Sequence, residues 1–173
     1  AEMILKGIDS SSLPKDLLIA YYETYSSFWG HYSISVANNI YGQQQAAYQD
    51  SLIALIDHTS LGYKMSRASY YIWRDTLRSK EIFKELLEIE EVGTPNYAMI
   101  THSYSWLCRH QKKYDEEKKY LILSAIADIR NATRENASLQ NLALIHYEEK
   151  KLADAFKFTQ SAIDDVISSE IHF

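Results

Sequence analysis

The stretch from Leu139 to Ile163 constrains the fold more than any other part of the sequence. Its small and apolar residues recur at helical spacing in two sets, with a short polar segment between them. The sets are Leu139, Leu142, Ala143 and His146, then Leu152, Ala155, Thr159 and Ala162. Alanines at facing positions let two helix backbones approach closely, and we expect Leu142 and Leu152 to fill the space beside them. The stretch therefore predicts two antiparallel helices joined by a tight turn.

The composition favours helices along the rest of the chain as well. Only five glycines and two prolines interrupt 173 residues, of which 46% are hydrophobic. Segments rich in Lys, Glu, Leu and Ala dominate, and no strand-like alternation of apolar and polar residues persists. A chain of this length can bury a core as one domain or as a short array of repeats. We therefore expect an all-α fold.

The pattern in Leu139–Ile163 resembles the tetratricopeptide repeat (TPR). In that repeat of about 34 residues, a large residue, a Leu-Gly pair and a Tyr precede a turn, and Ala, an aromatic and Ala follow it. Moving the frame back in steps of 38 residues finds three further copies, which become less regular toward the N-terminus. The resemblance implies an α-α superhelix, a single domain of about eight helices in four antiparallel pairs, at approximately 14–57, 59–91, 95–130 and 133–168.

Local signals mark two of the boundaries between these pairs. Gly93 can adopt the left-handed conformation that ends a helix, and Thr94 with Pro95 supplies a cap followed by a proline at the first helical position. This combination predicts the start of the third pair at Pro95. The polar residues of the segment Asn131-Ala132-Thr133 are predicted to cap the first helix of the fourth pair.

Charge and hydropathy exclude several classes of partner. The formal net charge of −5 argues against direct binding to nucleic acid or to an anionic membrane surface, because both favour basic patches. No apolar run approaches the ~18–20 residues needed to span a bilayer. The chain begins without methionine, and its last residues are still amphipathic. We therefore expect it to be an excised segment of a longer protein.

No residue pattern points to catalysis, to a cofactor or to a metal. The six histidines lack metal-binding spacing, and no phosphate-binding or nucleophile motif occurs. Cys108 stands at an inward repeat position, which favours burial over reactivity. His102, Trp106 and His110 follow one another at intervals of four residues. This stripe is interpreted as an ordinary solvated face, with a ligand-binding stripe as the alternative.

In a TPR array, the first helix of each pair lines the concave face, and the repeat frame identifies the outward positions of these helices. The resemblance therefore implies a candidate peptide-binding groove, formed by Lys64, Tyr71, His102, Trp106, Arg109, Gln140 and Tyr147, together with Ala68 and Leu144. This mixture of aromatic and polar residues suits an extended or helical peptide segment. It does not match the Lys/Asn/Arg set with which some TPR proteins hold a peptide's C-terminal carboxylate.

Three segments are similar to the repeat part of a poorly characterised family of bacterial membrane-anchored transcriptional regulators: Tyr21–Tyr25, Ser124–Arg130 and Glu135–Gln140. In that family a helical-repeat sensor outside the inner membrane precedes a membrane helix and a cytoplasmic regulatory part. The resemblance implies a non-enzymatic, periplasmic module that binds a protein or peptide. A scaffold for self-association is the alternative, and a small-ligand domain is a further one. The sequence leaves the partner's identity and the oligomeric state open.

Overall fold

A computed structural model describes residues 7–36, 39–133 and 136–170 of the chain. These residues contain a short 3-10 turn, Ser10–Ser12, and eight α-helices, and no strand occurs among them. The helices are α1 (Lys15–Val36), α2 (Asn39–Leu55), α3 (Leu61–Tyr71), α4 (Thr76–Ile89), α5 (Pro95–His110), α6 (Tyr114–Arg130), α7 (Ala137–Glu148) and α8 (Leu152–Glu170). The all-α prediction is confirmed.

The helices group into two compact units, Ala1–Tyr70 and Tyr71–Phe173. The boundary lies at the end of α3 and therefore inside the second predicted pair, at 59–91. The arrangement of the whole chain as one domain of four pairs stays a prediction.

In the first unit, aromatic side chains join α1 to α2. The rings of Tyr25 and Tyr48 stack with centroids 4.6 Å apart, and those of Trp29 and Tyr41 stack at 5.2 Å with almost parallel planes. Tyr25 and Trp29 are both buried. Because stacked rings bury large areas and restrict the relative position of two helices, these aromatic pairs account for the close pairing of α1 with α2.

In the second unit, α5 packs on α6 and α7 packs on α8, while α6 also contacts α7. Phe158 on α8 lies between two buried clusters that tie the pairs together. The clusters are Leu121, Leu142 and Ile145, and Ala125, Leu139 and Ala162. Each cluster takes residues from α6 and α7, so the contact between consecutive pairs is a continuous part of the core.

The facing alanines of α7 and α8 are buried, as their spacing predicts. Ala143, Ala155 and Ala162 are all buried, and so is Leu142, which packs against Leu121 of α6. Leu152 is not buried, because its side chain is 62% exposed. It is the first residue of α8, and it lines an open groove instead of the helix interface. The prediction that Leu152 packs between the two helices is therefore wrong.

The boundary before α5 has the predicted geometry. Gly93 has a φ of 90°, and the side chain of Thr94 accepts a hydrogen bond from the backbone N–H of Tyr97. Pro95 is the first residue of α5. Glycine adopts this left-handed conformation without the steric penalty that a Cβ brings. It does not end α4, which stops at Ile89 with Glu90 as its cap, so the prediction that Gly93 ends the preceding helix is wrong. Thr94 and Pro95 start α5 as predicted.

The predicted cap of α7 is wrong. Asn131 is the C-terminal cap of α6, and its side-chain amide donates hydrogen bonds to the carbonyls of Ala127 and Gly93. The helix α7 begins later, at Ala137, after Asn136. Through the carbonyl of Gly93, the amide of Asn131 ties the end of α6 to the turn before α5. Residues 134–135 of the intervening segment lie outside the described residues.

Candidate binding surface on α5 and α7

Trp106 is a large aromatic side chain held in place on the outer face of α5. It is 39% exposed, and its indole N–H donates a hydrogen bond of 3.3 Å to Nε2 of His102, one turn earlier. The other ring nitrogen of His102, Nδ1, lies 2.9 Å from the hydroxyl of Ser138 on α7. The tryptophan is thus linked through a histidine to the neighbouring pair of helices.

Two buried serines complete this chain of hydrogen bonds. The hydroxyl of Ser138 donates to that of Ser124 on α6, at 2.9 Å. Because Nε2 of His102 accepts from Trp106, a neutral imidazole carries its proton on Nδ1 and donates it to Ser138. The chain therefore runs in one direction, from Trp106 through His102 and Ser138 to Ser124, and it joins α5, α7 and α6. Such a buried network fixes the side chains at its exposed end.

Arg109 is the second anchored side chain on this face. Its Nε donates a hydrogen bond of 2.6 Å to Glu117 on α6, whose side chain is only 4% exposed. The guanidinium carbon of Arg109 also lies 5.8 Å from the centre of the Trp106 ring, within the usual cation–π range. A charge-assisted bond to a buried carboxylate restricts a side chain that otherwise has many rotamers.

We call His102, Trp106 and Arg109 the α5 ladder. Tryptophan and arginine are the residue types most enriched among those that dominate protein–protein binding energies. Here Trp106 is pre-ordered by the half-buried His102 and Arg109 by the buried Glu117, which lowers the entropy lost when a ligand binds. The ladder can offer a ligand a flat aromatic surface next to a cation.

His110 does not belong to the α5 ladder. Its ring packs edge-on against Trp73, with centroids 4.5 Å apart. Of the stripe formed by His102, Trp106 and His110, only the first two side chains are hydrogen-bonded to each other. The interpretation of this stripe as one ordinary solvated face is wrong for His102, which bonds inward to Ser138.

Gln140 and Tyr147 lie on α7, at the repeat positions that His102 and Arg109 occupy on α5. Both line a groove of about 710 Å³ between α7 and α8. We call this the α7–α8 groove. Its lining is almost wholly apolar: Gln140, Ala143, Leu144, Tyr147, Leu152, Ala155, Phe156, Thr159, Ala162, Ile163 and Ile167.

The remaining candidates lie on α3. Lys64 is half-buried and belongs to the first unit. Tyr71 is the first residue of the second unit, where the guanidinium of Arg78 lies 4.5 Å from the centre of its ring. Ala68 is completely buried, so its assignment to the groove is wrong. The structure brings His102, Trp106 and Arg109 together on one helix, and Gln140 and Tyr147 together in one groove.

Cys108 lies on the inner side of α5. It is 1% exposed, and burial raises the pKa of its thiol to about 11, with a smaller contribution from the nearby carboxylate of Glu116. A protonated, inaccessible thiol is a poor nucleophile. The predicted burial of Cys108 is confirmed. In the described part of the chain, no group of three or more His, Cys, Asp or Glu residues is placed to hold a metal ion.

Sequence reasoning missed the residues that support the ladder. Glu117 and Ser124 stand at repeat positions that Ala155 and Ala162 occupy one pair later. The sequence does contain a signal for them, because a carboxylate and a hydroxyl stand at positions where the repeat has alanine. Because buried polar groups require partners, such residues predict an ion pair or a hydrogen-bond network within the core.

The helix pairing, the buried small residues and the exposed first-helix side chains together agree with one known family. The profile of the SusR N-terminal TPR domain matches residues 1–170. The chain belongs to this family of TPR domains. The match confirms the TPR-like α-α superhelix that the repeat pattern predicts. No curated protein and no solved structure matches the chain.

Membership of the family gives the TPR domain a general role. TPR domains are protein-interaction modules, so the family supports the prediction of a protein-binding domain at this level. Among the described helices, none has both the length and the hydrophobicity needed to cross a membrane.

Proposed function

We propose that this TPR domain is the sensor module of a larger bacterial regulatory protein, and that it binds a protein or peptide through the α5 ladder. The proposal takes the module to be non-enzymatic. The observation that carries it is the anchored Trp106, a half-exposed aromatic side chain whose polar atom is already bonded within the protein. Its outer face is left for a ligand.

The chemistry of the ladder favours a peptide. A peptide offers apolar side chains for the indole ring and carboxylates or carbonyls for the guanidinium of Arg109. Because Glu117 already neutralises Arg109 in part, the arginine acts here as a directional hydrogen-bond donor beside an aromatic platform. Gln140 and Tyr147 place an amide and an aromatic ring on α7, at the positions that His102 and Arg109 occupy on α5.

The proposed cellular context is the periplasmic side of a membrane-anchored parent. It rests on the likeness of Tyr21–Tyr25, Ser124–Arg130 and Glu135–Gln140 to bacterial membrane-anchored regulators, and on membership of the SusR N-terminal TPR family. In this setting the bound partner is the signal, and the domain passes its bound state to the rest of the parent protein.

A binding experiment with matched tryptophan variants tests the α5 ladder. The immobilised chain is exposed to extracts of the source organism, and retained proteins are quantified by mass spectrometry for the parent, Trp106→Ala and Trp73→Ala. Trp73 is also exposed on the second unit but lies outside the ladder. We expect one partner to be retained by the parent and by Trp73→Ala. Its recovery should be at least about tenfold lower with Trp106→Ala, as for a tryptophan hot spot.

Equal recovery of the partner by both variants contradicts a role for the ladder. Circular dichroism of each variant shows whether helix content is retained. Arg109→Lys is preferable to Arg109→Ala as a further variant, because alanine leaves the buried carboxylate of Glu117 without its partner. Retention of no protein by the parent favours the scaffold alternative.

A further inference from the structure

The α7–α8 groove exposes more apolar surface than isolated surface residues usually do. Phe156 is 68% exposed, Tyr147 and Leu152 are exposed to a similar degree, and Leu144, Ile163 and Ile167 are about half exposed. All of them line the same groove. A contiguous apolar patch of this kind on a soluble domain marks a site of interaction.

The preceding pair of helices shows what covers such a groove. Thirty-eight residues before Thr159, Ala162 and Ile163 stand Leu121, Ser124 and Ala125 on α6. These three residues are buried under α7. At equivalent positions of α5 and α6, therefore, the groove is filled by one helix that lies across the pair.

The inward face of α7 shows which residues a helix needs in order to cover such a groove. Leu121 packs against Leu142 and Ile145, and Ala125 packs against Leu139. Leu139, Leu142 and Ile145 follow at intervals of three residues, the apolar stripe of an amphipathic helix. The lining of the α7–α8 groove extends from Leu152 to Ile167 along α8, about 22 Å at 1.5 Å per residue. An amphipathic helix of about four turns matches this length.

The charges beside the groove indicate which charged residues a bound helix carries. Glu148 adjoins Tyr147 and Asp164 adjoins Ile163. Both carboxylates are exposed, and neither has a cation of the described residues within ion-pair distance. Between Ala137 and Glu170, six acidic residues accompany three lysines. A helix with lysine or arginine beside its apolar stripe complements these charges, whereas a second copy of this chain brings a net charge of −5 against the same sign.

We propose that the α7–α8 groove binds a basic amphipathic helix of a partner protein, which packs across α7 and α8 as α7 packs across α5 and α6. The groove lies outside the α5 ladder. Two of its residues, Gln140 and Tyr147, also belong to the surface in the proposed function, and the others do not. The apolar stripe supplies the affinity, and the basic residues supply the selectivity.

Three synthetic peptides of about 18 residues, about 27 Å long as helices, test the proposal. The first has leucines at i, i+3, i+4 and i+7 with lysines beside them. The second has glutamates in place of the lysines, and the third has the composition of the first with the leucine spacing destroyed. Binding to the whole chain is measured by fluorescence anisotropy at physiological salt. We expect the first peptide to bind at least about tenfold more tightly than either of the others.

Protein variants assign the binding to the groove. We expect Phe156→Ser to weaken the lysine peptide at least about tenfold, as for an aromatic anchor. Leu77→Ser is the matched control, because Leu77 is equally exposed on α4 of the same unit. The double variant Glu148→Lys with Asp164→Lys should reverse the preference between the lysine and glutamate peptides. Trp106→Ala should leave it unchanged, which separates this site from the α5 ladder.

Several results overturn the proposal. These are equal binding of all three peptides, no binding of the lysine peptide, or an affinity that Phe156→Ser leaves intact. Sedimentation equilibrium tests whether a second copy of the chain fills the groove instead. A dimer of the unmodified chain that Phe156→Ser dissociates shows that it does. The expected result is a monomer for both proteins.

Discussion

Ser138 is a small residue with a large structural role. Its buried hydroxyl accepts from His102 and donates to Ser124, so it joins three helices. In Ser138→Ala, the buried hydroxyl of Ser124 and the half-buried imidazole of His102 lose their partner. We expect a loss of about 1–3 kcal/mol in the free energy of unfolding, measured by urea denaturation. Ser161→Ala, at an exposed position on α8, is the control and should be nearly neutral. A Ser138→Ala variant as stable as the parent contradicts the network.

The burial of Cys108 predicts that its thiol reacts more slowly in the folded chain than in the unfolded chain. Burial raises its pKa to about 11 from an ordinary value of 9.0, so the thiolate fraction near pH 8 falls about 100-fold. We expect Ellman's reagent to react at least about 100-fold more slowly with the folded chain than with the chain unfolded in urea. Comparable rates in the two states contradict the burial of this side chain.

The same shift in pKa sets the sign of a pH effect. The folded state favours the protonated thiol, so this contribution to stability is complete below pH 9.0 and is lost as the pH rises through about 11. In Cys108→Ala, that part of the alkaline loss of stability should disappear.

At the scale of the element, two glycines respond in opposite ways to the same substitution. Gly93 ends a segment before α5 with a φ of 90°, a conformation that costs an L-residue about 1–2 kcal/mol. A Cβ at Gly93 meets only an ordinary contact, Arg130 at 3.8 Å, so the expected loss in Gly93→Ala comes from the backbone conformation. Thermal denaturation measures the loss as a lower Tm.

Gly62 is the matched control. It lies within α3, where a Cβ meets nothing closer than the Ser60 hydroxyl at 4.0 Å. Alanine favours a helix over glycine by about 0.8–1.0 kcal/mol in the interior and by less in the first turn, where Gly62 lies, so Gly62→Ala should raise the Tm slightly. If Gly93→Ala also raises the Tm, the left-handed conformation at Gly93 is wrong.

At the scale of the whole molecule, we propose that the two units fold as one domain. In a repeat array each pair depends on its neighbours, so unfolding at one end propagates to the other. Trp29 reports on the first unit, and Trp73 and Trp106 report on the second. In the Trp29→Phe protein and in the Trp73→Phe/Trp106→Phe protein, fluorescence reports on one unit and circular dichroism on both. We expect the two signals to give the same urea midpoint within each protein. Two separate midpoints indicate that the units 1–70 and 71–173 unfold independently.

Much of the fold could be predicted because its signals are local. The helical spacing of Leu139, Leu142 and Ala143 depends only on the geometry of one helix. The Gly93-Thr94-Pro95 boundary depends only on the conformations that these residues allow. Asn131 misled the prediction because an asparagine can cap either end of a helix, and the choice depends on which backbone groups lie nearby.

The candidate site was predictable in part. The repeat frame found His102, Trp106 and Arg109 because it selects the outward positions of a first helix. It missed Glu117, Ser124 and Ser138, because a buried partner is recognised only when the facing helix is known. For Gln140 and Tyr147, the frame found the surface but not the groove, since Leu152 and Phe156 come from the following helix.

The sequence by itself determined the class of the protein: helices, their repeat and the TPR family follow from spacing and from local conformational preferences. Only the tertiary structure decided what the outward residues do. It turned one ring nitrogen of His102 toward a buried serine, paired Arg109 with a buried carboxylate, and left Leu152 in an open groove. The physical reason is that periodicity assigns a residue to a face of its helix. What covers that face depends on distant parts of the chain.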